Sequence, residues 1–286
     1  TSPIVNCGAV PVFCDVLETD YTINPELVES LVTERTRGIL PVDLYGHPAD
    51  VKRLQACAQK YGLFIVEDAA IATASRDYGL PVGAFADQVC FSTCPTKQLG
   101  AVGNGGVVAT ADRELRERLQ MYRDYGLSAE RSHTLHAGLD QVVDGLNIKM
   151  SPVDAAVLSV KIDYFPRWTT RRKEIVQQYI ARLQHCEGIV LPAYRNESDP
   201  VCREFVLRVR DRDSVFSKLR EKGVQAAMNY FPPAYRRRAY EHMHLPESTN
   251  LEVTEALSRE ILALPVDPLL TEEDIDYVCD SLIELI

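Results

Sequence analysis

The sequence predicts an α/β protein with a mostly parallel central sheet flanked by helices and a smaller C-terminal α+β domain. Short, almost wholly apolar runs at 63–68 and 88–94 are typical of strands that are covered on both faces. Through the first half of the chain such runs alternate with helical patterns, as βαβ units do. The 286 residues can bury a sizeable core, and we expect a large domain over 1–165 and a small domain with a bridging helix over 166–286.

The first half of the chain contains five predicted strands and three predicted helices. The strands are expected at 10–16, 38–44, 63–68, 88–94 and 106–110, and the helices at 25–33, 49–61 and about 112–123. Asn24 is a suitable cap for the first helix, and Pro25 takes its first position. Gly62 lies directly after the second helix, where a left-handed residue commonly ends a helix.

The second half begins with a polar loop at 127–147 and a long helical pattern at 151–186, which we expect to be broken or kinked at Pro166. The small domain then follows from a strand at 204–210, a helix at 213–222, a strand at 224–230 and two closing helices. Thr271 opens the last helix with Glu273 and Asp274 behind it, which is close to a capping box.

Composition excludes several classes of function. With 31 basic and 41 acidic residues the net charge is −10, which argues against binding to nucleic acid or to a membrane surface. No apolar run is long enough to span a bilayer, and we expect a soluble, cytoplasmic protein. The eight cysteines include no CxxC pair, so we expect free thiols and no metal site.

Two charged side chains follow neighbouring buried strands. Asp68 ends the run 63–68, and Lys97 follows the run 88–94. Ligands of parallel sheets bind beyond the carboxyl ends of the strands, and a buried charge needs a partner. A cofactor with a cationic ring nitrogen and an aldehyde, such as pyridoxal phosphate (PLP), would need both groups. Taken alone, Asp68 also suits a helix cap, and Lys97 an exposed loop.

Several ordered motifs carry a resemblance to a known family. EDAA (67–70), FSTCPTK (91–97) and the glycine turn GAVGNGG (100–106) are similar to blocks of the DegT/DnrJ/StrS-type PLP-dependent sugar aminotransferases, which have fold-type I. PVDLYGHPAD and GLNIKMSPVDAAVLSVKID are similar to further segments of that family, as are RDSVFSKLREKGV and ILALPVDPLLTEEDIDYV. The resemblance covers essentially the whole chain and implies a PLP enzyme.

The resemblance also implies roles for individual residues. Lys97 would bind PLP covalently and then carry protons as a general base and acid, and Asp68 would pair with the ring nitrogen. Ser92 would bind the phosphate, unless it is only a satisfied hydroxyl at a strand end. Asn147 would reach the phosphate of a neighbouring subunit, which implies a homodimer with shared sites, although by itself it reads as a turn residue.

Three departures from the family pattern are visible. Ile71 occupies the place of a glutamine that lies near the ring; it can pack on the ring but cannot donate a hydrogen bond. Gln98 replaces a common asparagine, which is a mild change. The family's N-terminal region, with its Ser-Gly-Thr phosphate turn and a ring-stacking aromatic, has no counterpart in the sequence. We therefore also consider a truncated, inactive fragment.

Candidates for a substrate site lie in the second half of the chain. The arginine-rich stretches 167–173 and 235–240 suit phosphate, although solvated helix faces explain them as well. Tyr230, Phe231 and Tyr235 could form the wall of a sugar or base pocket, or could pack a loop. His133 and His136 share the polar loop and could reach a site or solvent.

The resemblance implies transfer of an amino group, with glutamate as the usual donor, to a keto sugar that is often nucleotide-linked, or to a keto cyclitol. Lys97 favours transamination, because relatives that dehydrate sugars carry histidine there. Two alternatives remain: a non-catalytic or regulatory PLP-binding homologue, and a plain α/β binding module.

Overall fold

The computed structural model describes residues 1–128, 141–240 and 250–286, which form eight helices and ten strands. The helices are α1 (Ser2–Asn6), α2 (Pro25–Val28), α3 (Val51–Tyr61), α4 (Arg113–Arg123), α5 (Pro152–Leu183), α6 (Arg212–Glu221), α7 (Glu252–Glu260) and α8 (Glu272–Ile283). The strands are β1 (Gly38–Ile39), β2 (Phe64–Asp68), β3 (Arg76–Asp77), β4 (Leu80–Pro81), β5 (Gln88–Ser92), β6 (Gly106–Ala109), β7 (Ile189–Val190), β8 (Ser198–Asp199), β9 (Glu204–Val209) and β10 (Ile261–Pro265).

The central sheet has the order β1-β2-β5-β6. β1 pairs parallel with β2, and β2 pairs parallel with β5, whereas β6 returns antiparallel to β5. The α/β class with a mostly parallel sheet is therefore confirmed. Asp68 lies opposite Cys90 in the register, so the carboxyl ends of β2 and β5 meet at one edge of the sheet.

The predicted helix signals are used locally. Asn24 Oδ1 accepts a hydrogen bond from Glu26 N, but α2 is only four residues long before a 3₁₀ turn replaces it. Gly62 ends α3 in the left-handed region at φ 65°. Thr271 and Asp274 form the complete capping box at the start of α8.

The long helix α5 is continuous from Pro152 to Leu183, so it is not broken at Pro166, whereas a kink at that residue stays a prediction. Proline removes one backbone donor. The hydroxyl of Thr170, one turn after the proline, donates to the Pro166 carbonyl at 3.2 Å. Beyond the proline, Ile175, Tyr179 and Leu183 are buried, which stabilises the C-terminal half of the helix against the core.

The predicted strand at 10–16 is wrong. Among the described residues its only strand-like pairing is the single bridge between Val16 and Ile23. A strand needs a neighbour for its backbone groups, and here Val10 and Val12 are exposed instead of packed. The segment is fixed by Asp15, whose carboxylate accepts from Val253 N and the Thr254 backbone and hydroxyl at the start of α7.

Two other strand predictions change. The strand expected at 38–44 is only β1 and a bridge from Val42 to Asp68, since Pro41 cannot donate to the ladder. The strand expected at 224–230 is wrong: Ala227 alone pairs with Ala263, and Phe231 N donates to the Met228 carbonyl in a turn. The partner of that bridge, β10, was not predicted.

The second sheet has the order β10-β9-β7 and is antiparallel. The centre of β9 is completely buried and packs with buried residues of α5, α6, α8 and β10 in one hydrophobic cluster. A separate cluster joins α3 to β1 and β2. The division of the chain at residues 165 and 166 stays a prediction.

The polar loop expected at 127–147 is described only in part. Leu127, at its start, forms an antiparallel bridge with Gln141, and Asn147, at its end, forms another with Asp124. His133 and His136 lie outside the described residues.

Candidate active site

A cavity of about 510 Å³ opens at the carboxyl end of β2. Asp68, Ile71 and Lys97 line one wall, and a loop that includes Tyr230 and Tyr235 lines another, which we call the loop wall. The structure therefore brings together the two charged residues that the sequence predicts to act jointly. Cavities of this size, with few polar groups on a largely apolar lining, are typical of small-molecule sites.

Asp68 is held by its backbone and by its side chain. Its N–H donates to the Pro41 carbonyl at 2.9 Å, and its own carbonyl accepts from Asp43 N at 3.0 Å. Its Oδ1 accepts from Ala70 N at 3.0 Å, which is the cap-like contact that the sequence also allowed. The half-buried carboxylate nevertheless lines the cavity, so both interpretations hold for the same side chain.

Lys97 lies in a turn after β5, where its N–H donates to the Cys94 carbonyl at 2.9 Å. Within residues 1–128, 141–240 and 250–286 no hydrogen bond or ion pair is found for its Nζ, although the side chain is half-buried. Burial lowers the pKa of Lys97, and the positive charge of Arg203 lowers it further. A larger share of neutral amine makes this side chain a better nucleophile and proton acceptor.

The glycine turn behind Lys97 packs too closely for a side chain. A Cβ on Gly100 would lie 2.5 Å from the Pro95 carbonyl oxygen. Lys161 Nζ on α5 donates to the Gly100 carbonyl at 2.6 Å, and Asp154 Oδ1 accepts from Gly103 N at 2.8 Å. These contacts hold the loop that carries Lys97 against the start of α5.

Ile71 and Gln98 form a linked pair beside the two charges. Ile71 is 5% exposed and lines the cavity. Gln98 Nε2 donates to the Ile71 carbonyl at 2.6 Å and to the Val201 carbonyl at 3.0 Å. Gln98 therefore fixes the backbone of the turn that presents Ile71. Contact of Ile71 with a cofactor ring stays a prediction.

The two other predicted binding residues do not line this cavity. Ser92 ends β5, and its Oγ accepts from Cys94 N at 3.3 Å. Asn147 is exposed and pairs with Asp124 near the start of α5. Their roles in binding phosphate stay predictions.

The loop wall is held by a carboxylate and a tyrosine. Both oxygens of Glu204 accept from Asn229 Nδ2, at 2.8 and 2.7 Å, and the Tyr45 hydroxyl donates to the Asn229 carbonyl. Tyr45 stacks on Tyr230 with ring centroids 6.2 Å apart. Sequence reasoning missed Tyr45, Glu204 and Asn229. The only signal was the LYG motif around Tyr45, which in the structure has a positive φ of 61°.

The same wall contains aromatic and cationic side chains that the sequence singled out. Tyr230, Phe231, Tyr235 and Arg237 all line the cavity. The Tyr235 hydroxyl donates to Glu255 Oε1 at 2.7 Å. The aromatic residues therefore form part of a pocket wall, which was one of the two expectations.

The first arginine-rich stretch, 167–173, serves the structure. Arg171 donates to the Leu270 carbonyl at 2.8 Å, and Arg172 is buried and donates to the Val266 carbonyl. Lys173 pairs with Asp199 at 2.6 Å. None of the three lines the cavity, so only the second stretch supplies a cation to it, namely Arg237.

The residues at the cavity fit PLP. A half-buried amine with a lowered pKa suits a covalent bond to an aldehyde, and a carboxylate on the same wall suits a cationic ring nitrogen. A metal is not implied: no group of three or more His, Cys, Asp or Glu side chains in the described part of the chain could hold one. No helix within those residues has the length and apolar character needed to cross a membrane.

Comparison with known proteins gives consistent results. The model of the DegT/DnrJ/EryC1/StrS aminotransferase family matches residues 1–283. The chain is 39% identical over 275 residues to the erythromycin biosynthesis sensory transduction protein EryC1 of Saccharopolyspora erythraea, covering 96% of this chain and 73% of EryC1. It is 38% identical to the dTDP-3-amino-3,4,6-trideoxy-alpha-D-glucose transaminase of Streptomyces venezuelae, covering 97% of this chain and 71% of the relative.

Solved structures agree with the sequence relatives. The crystal structure of DesV from S. venezuelae superimposes with a TM-score of 0.91 at 37% identity, covering 98% of this chain and 73% of DesV. The fold, the cavity residues and the relatives thus point to one class of enzyme. The chain belongs to the DegT/DnrJ/EryC1/StrS aminotransferase family, and the aminotransferases of this family are PLP-dependent.

Proposed function

We propose that this aminotransferase moves the amino group of glutamate to the keto group of a nucleotide-linked sugar, with Lys97 and Asp68 as the residues that contact the cofactor. The observation that carries the proposal is the placement of both side chains on one wall of the same cavity. When bound, PLP supplies an electron sink that stabilises negative charge on the carbon bearing the amino group.

Each side chain has a separate task in this proposal. Lys97 Nζ takes the proton from the α-carbon of the amino donor. In the second half-reaction it gives a proton to the former carbonyl carbon of the acceptor, which then bears the new amino group. The lowered pKa of Lys97 suits this work, because the amine must alternate between its neutral and charged forms. Asp68 stays fixed by its contacts with Ala70 and Pro41 and pairs with the ring nitrogen.

The residues of the loop wall suit a nucleotide-linked acceptor. Tyr230 and Phe231 are 46% and 51% exposed, so their rings can stack on a sugar or base. Arg237 lies beside them and is an exposed cation suited to a diphosphate. Similar proteins bear names that include a dTDP-sugar transaminase and a UDP-linked keto-sugar aminotransferase.

A homodimer is part of the proposal. Large apolar side chains stand exposed on one face of α5: Val153, Val160 and Tyr164 are each more than half exposed, and their helical spacing places them on the same side of the helix. Such a patch is unusual on a monomer and suits a second copy of the chain. Asn147 lies close in sequence to this helix and is exposed, as a residue that reaches a partner's site must be. Sedimentation analysis should give twice the monomer mass, and a monomer would remove this part of the proposal.

The proposal is tested in two half-reactions. The purified protein is incubated with PLP and glutamate, and formation of 2-oxoglutarate is measured. A panel of acceptors then follows: a dTDP-linked keto sugar, a UDP-linked keto sugar and an unlinked keto cyclitol. We expect stoichiometric 2-oxoglutarate and amination of one of the linked sugars. Amination of the cyclitol alone would contradict the nucleotide-linked acceptor. PLP binding without formation of 2-oxoglutarate from glutamate, and without amination of any acceptor in the panel, would instead favour a regulatory homologue.

A further inference from the structure

Two carboxyl groups are buried behind the strand that presents Asp68. Asp43 is 0% exposed and Glu67 is 2% exposed. Glu67 directly precedes Asp68 on β2, so the strand directs the two side chains to opposite faces of the sheet. Neither Asp43 nor Glu67 lines the cavity. We call them the Asp43–Glu67 pair. Burying two carboxylates next to each other is costly unless something compensates the charge.

Each carboxyl accepts one backbone hydrogen bond from a different loop. Asp43 Oδ1 accepts from Ala49 N at 2.9 Å, and Glu67 Oε2 accepts from Gly83 N at 2.8 Å. Asp43 Oδ2 has no donor among the described residues, yet the Glu67 carboxyl lies within hydrogen-bonding reach of Asp43. Two ionised carboxylates only accept hydrogen bonds. A single proton would turn this contact into a strong hydrogen bond.

The surroundings of the pair are negative as well. The charge of Asp68 raises the pKa of Asp43, and the charge of Asp77 raises the pKa of Glu67. Asp77 is held by Arg195 at 3.0 Å, but no lysine or arginine of the described residues forms an ion pair with either member of the pair. Burial, and then the charge of Glu67, raises the pKa of Asp43, and burial raises the pKa of Glu67. Two carboxylates in hydrogen-bonding contact resist ionising together, so the second proton leaves only at a raised pH.

We propose that Asp43 and Glu67 share one proton at neutral pH, and that this hydrogen bond positions Asp68 at the cavity. Asp43 N donates to the Asp68 carbonyl at 3.0 Å, so the backbone that carries Asp43 is bonded directly to the residue that contacts the cofactor. Through the pair, the turn at Ala49 and the turn at Gly83 are tied together behind β2. Both residues are positioning residues. The second half of the inference rests on the proposed role of Asp68.

The shared proton gives the folded protein a distinct dependence on pH. In the unfolded chain both carboxyls titrate near about pH 4. The folded state keeps one proton to higher pH. Between about pH 4 and the raised pKa of the pair, the folded state therefore binds more protons than the unfolded state. Stability contributed by this proton is therefore present at low pH and is lost as pH rises through the raised pKa. A difference of one proton lowers the folding equilibrium constant by up to about tenfold per pH unit.

Single amide substitutions separate the proton from the hydrogen bond. In Asp43→Asn the side-chain oxygen still accepts from Ala49 N, and the amide can donate to Glu67 without a shared proton. Glu67→Gln does the same from the other side. Both single variants should fold and lose the dependence on pH. In the double variant two amide NH₂ groups face each other, so it should be less stable than either single variant. Glu221→Gln removes one charge from an exposed residue and is the matched control.

The first measurement is denaturant unfolding of the protein without added PLP, from pH 5 to pH 9. Asp77, whose pKa is raised to about 6, also titrates in this window, so the comparison is between parent and variants. We expect the free energy of unfolding to fall with rising pH in the parent and in Glu221→Gln. In both single variants it should fall less steeply. An infrared band of a protonated carboxyl at pH 7 should be present in the parent and absent from both singles. Equal slopes in all four proteins, or no such band in the parent, would overturn the shared proton.

The second measurement is PLP affinity from the visible absorbance. The single variants should bind as the parent does, whereas the double variant should bind about tenfold more weakly, which corresponds to the loss of one hydrogen bond. Unchanged binding in a folded double variant would overturn the positioning role. If the parent itself does not bind PLP, the proposed function fails, but the unfolding data still decide whether the proton is shared.

Discussion

The two walls of the cavity are built in different ways. Asp68 ends β2, and Lys97 lies in the turn after its partner strand β5, where hydrogen bonds of the sheet and of the glycine turn hold the backbone. The loop wall is held mainly through Asn229 by Glu204 and Tyr45. From this comparison we infer that the residues that act on the cofactor lie on the wall held by the sheet, which we call the rigid wall. The loop wall then selects the acceptor.

The largest expected effect is on the rigid wall. Lys97→Arg keeps the charge but removes an amine that can bond to an aldehyde and exchange a proton. We expect amino transfer to fall by about 10²–10⁴-fold, the contribution of a positioned acid–base group. Steady-state kinetics should show the loss in kcat, with the KM for the acceptor sugar little changed. A variant that kept more than a tenth of the parent kcat would contradict the assignment of Lys97.

A smaller loss is expected for the second residue of the same wall. Asp68→Asn is isosteric and can keep the contact with Ala70 N, but it does not provide a negative charge for the ring nitrogen. We expect kcat to fall by about 10²–10³-fold, as when one preorganised electrostatic group is removed. The visible spectrum should still show bound PLP. If kcat is unchanged and PLP affinity alone falls, Asp68 anchors the cofactor without tuning it.

On the loop wall the effect should move from kcat to KM. Arg237→Gln removes an exposed cation whose Nε donates to the Pro232 carbonyl at 3.2 Å. We expect the KM of a nucleotide-linked acceptor to rise about tenfold, the worth of one charged hydrogen bond, with kcat nearly constant. Arg238→Gln alters an exposed neighbour that does not line the cavity and serves as control. Equal effects of both variants would remove the special role of Arg237.

The smallest effect should be on stability. Tyr235→Phe keeps the ring on the cavity wall but removes the hydroxyl that donates to Glu255 at 2.7 Å. Since the acceptor is a carboxylate, we expect the free energy of unfolding to fall by about 1–2 kcal/mol with little change in kcat. Denaturant unfolding measures the first quantity. A tenfold loss of kcat would show that the hydroxyl itself contacts substrate.

The rigid wall could be predicted from the sequence because its signals are local. An apolar run that ends in Asp68 predicts a buried strand, and parallel pairing places that end beside the next one. The cap at Asn24 and the left-handed Gly62 are equally local. These features need no knowledge of distant residues. They are the reason that the α/β class and the placement of Asp68 and Lys97 at one cavity follow from sequence.

The loop wall and the Asp43–Glu67 pair could not be predicted in this way. Tyr45 and Asn229 are 184 positions apart, and no periodic pattern links them. Asp43 and Glu67 are ordinary acids in the sequence and become unusual only when the turn after β1 folds against β2. The strands expected at 10–16 and 224–230 failed for a related reason. Each has strand-like residues, but almost no neighbouring backbone to pair with.

The central claim is that Lys97 is the residue that binds PLP covalently. The most direct test is to mix the protein with PLP, reduce the bond with borohydride, digest the product and locate the added mass by mass spectrometry. We predict that the mass lies on the peptide that contains Lys97, and that Lys97→Ala shows none under the same conditions. Label on another lysine, or equal labelling of Lys97→Ala, would contradict the account.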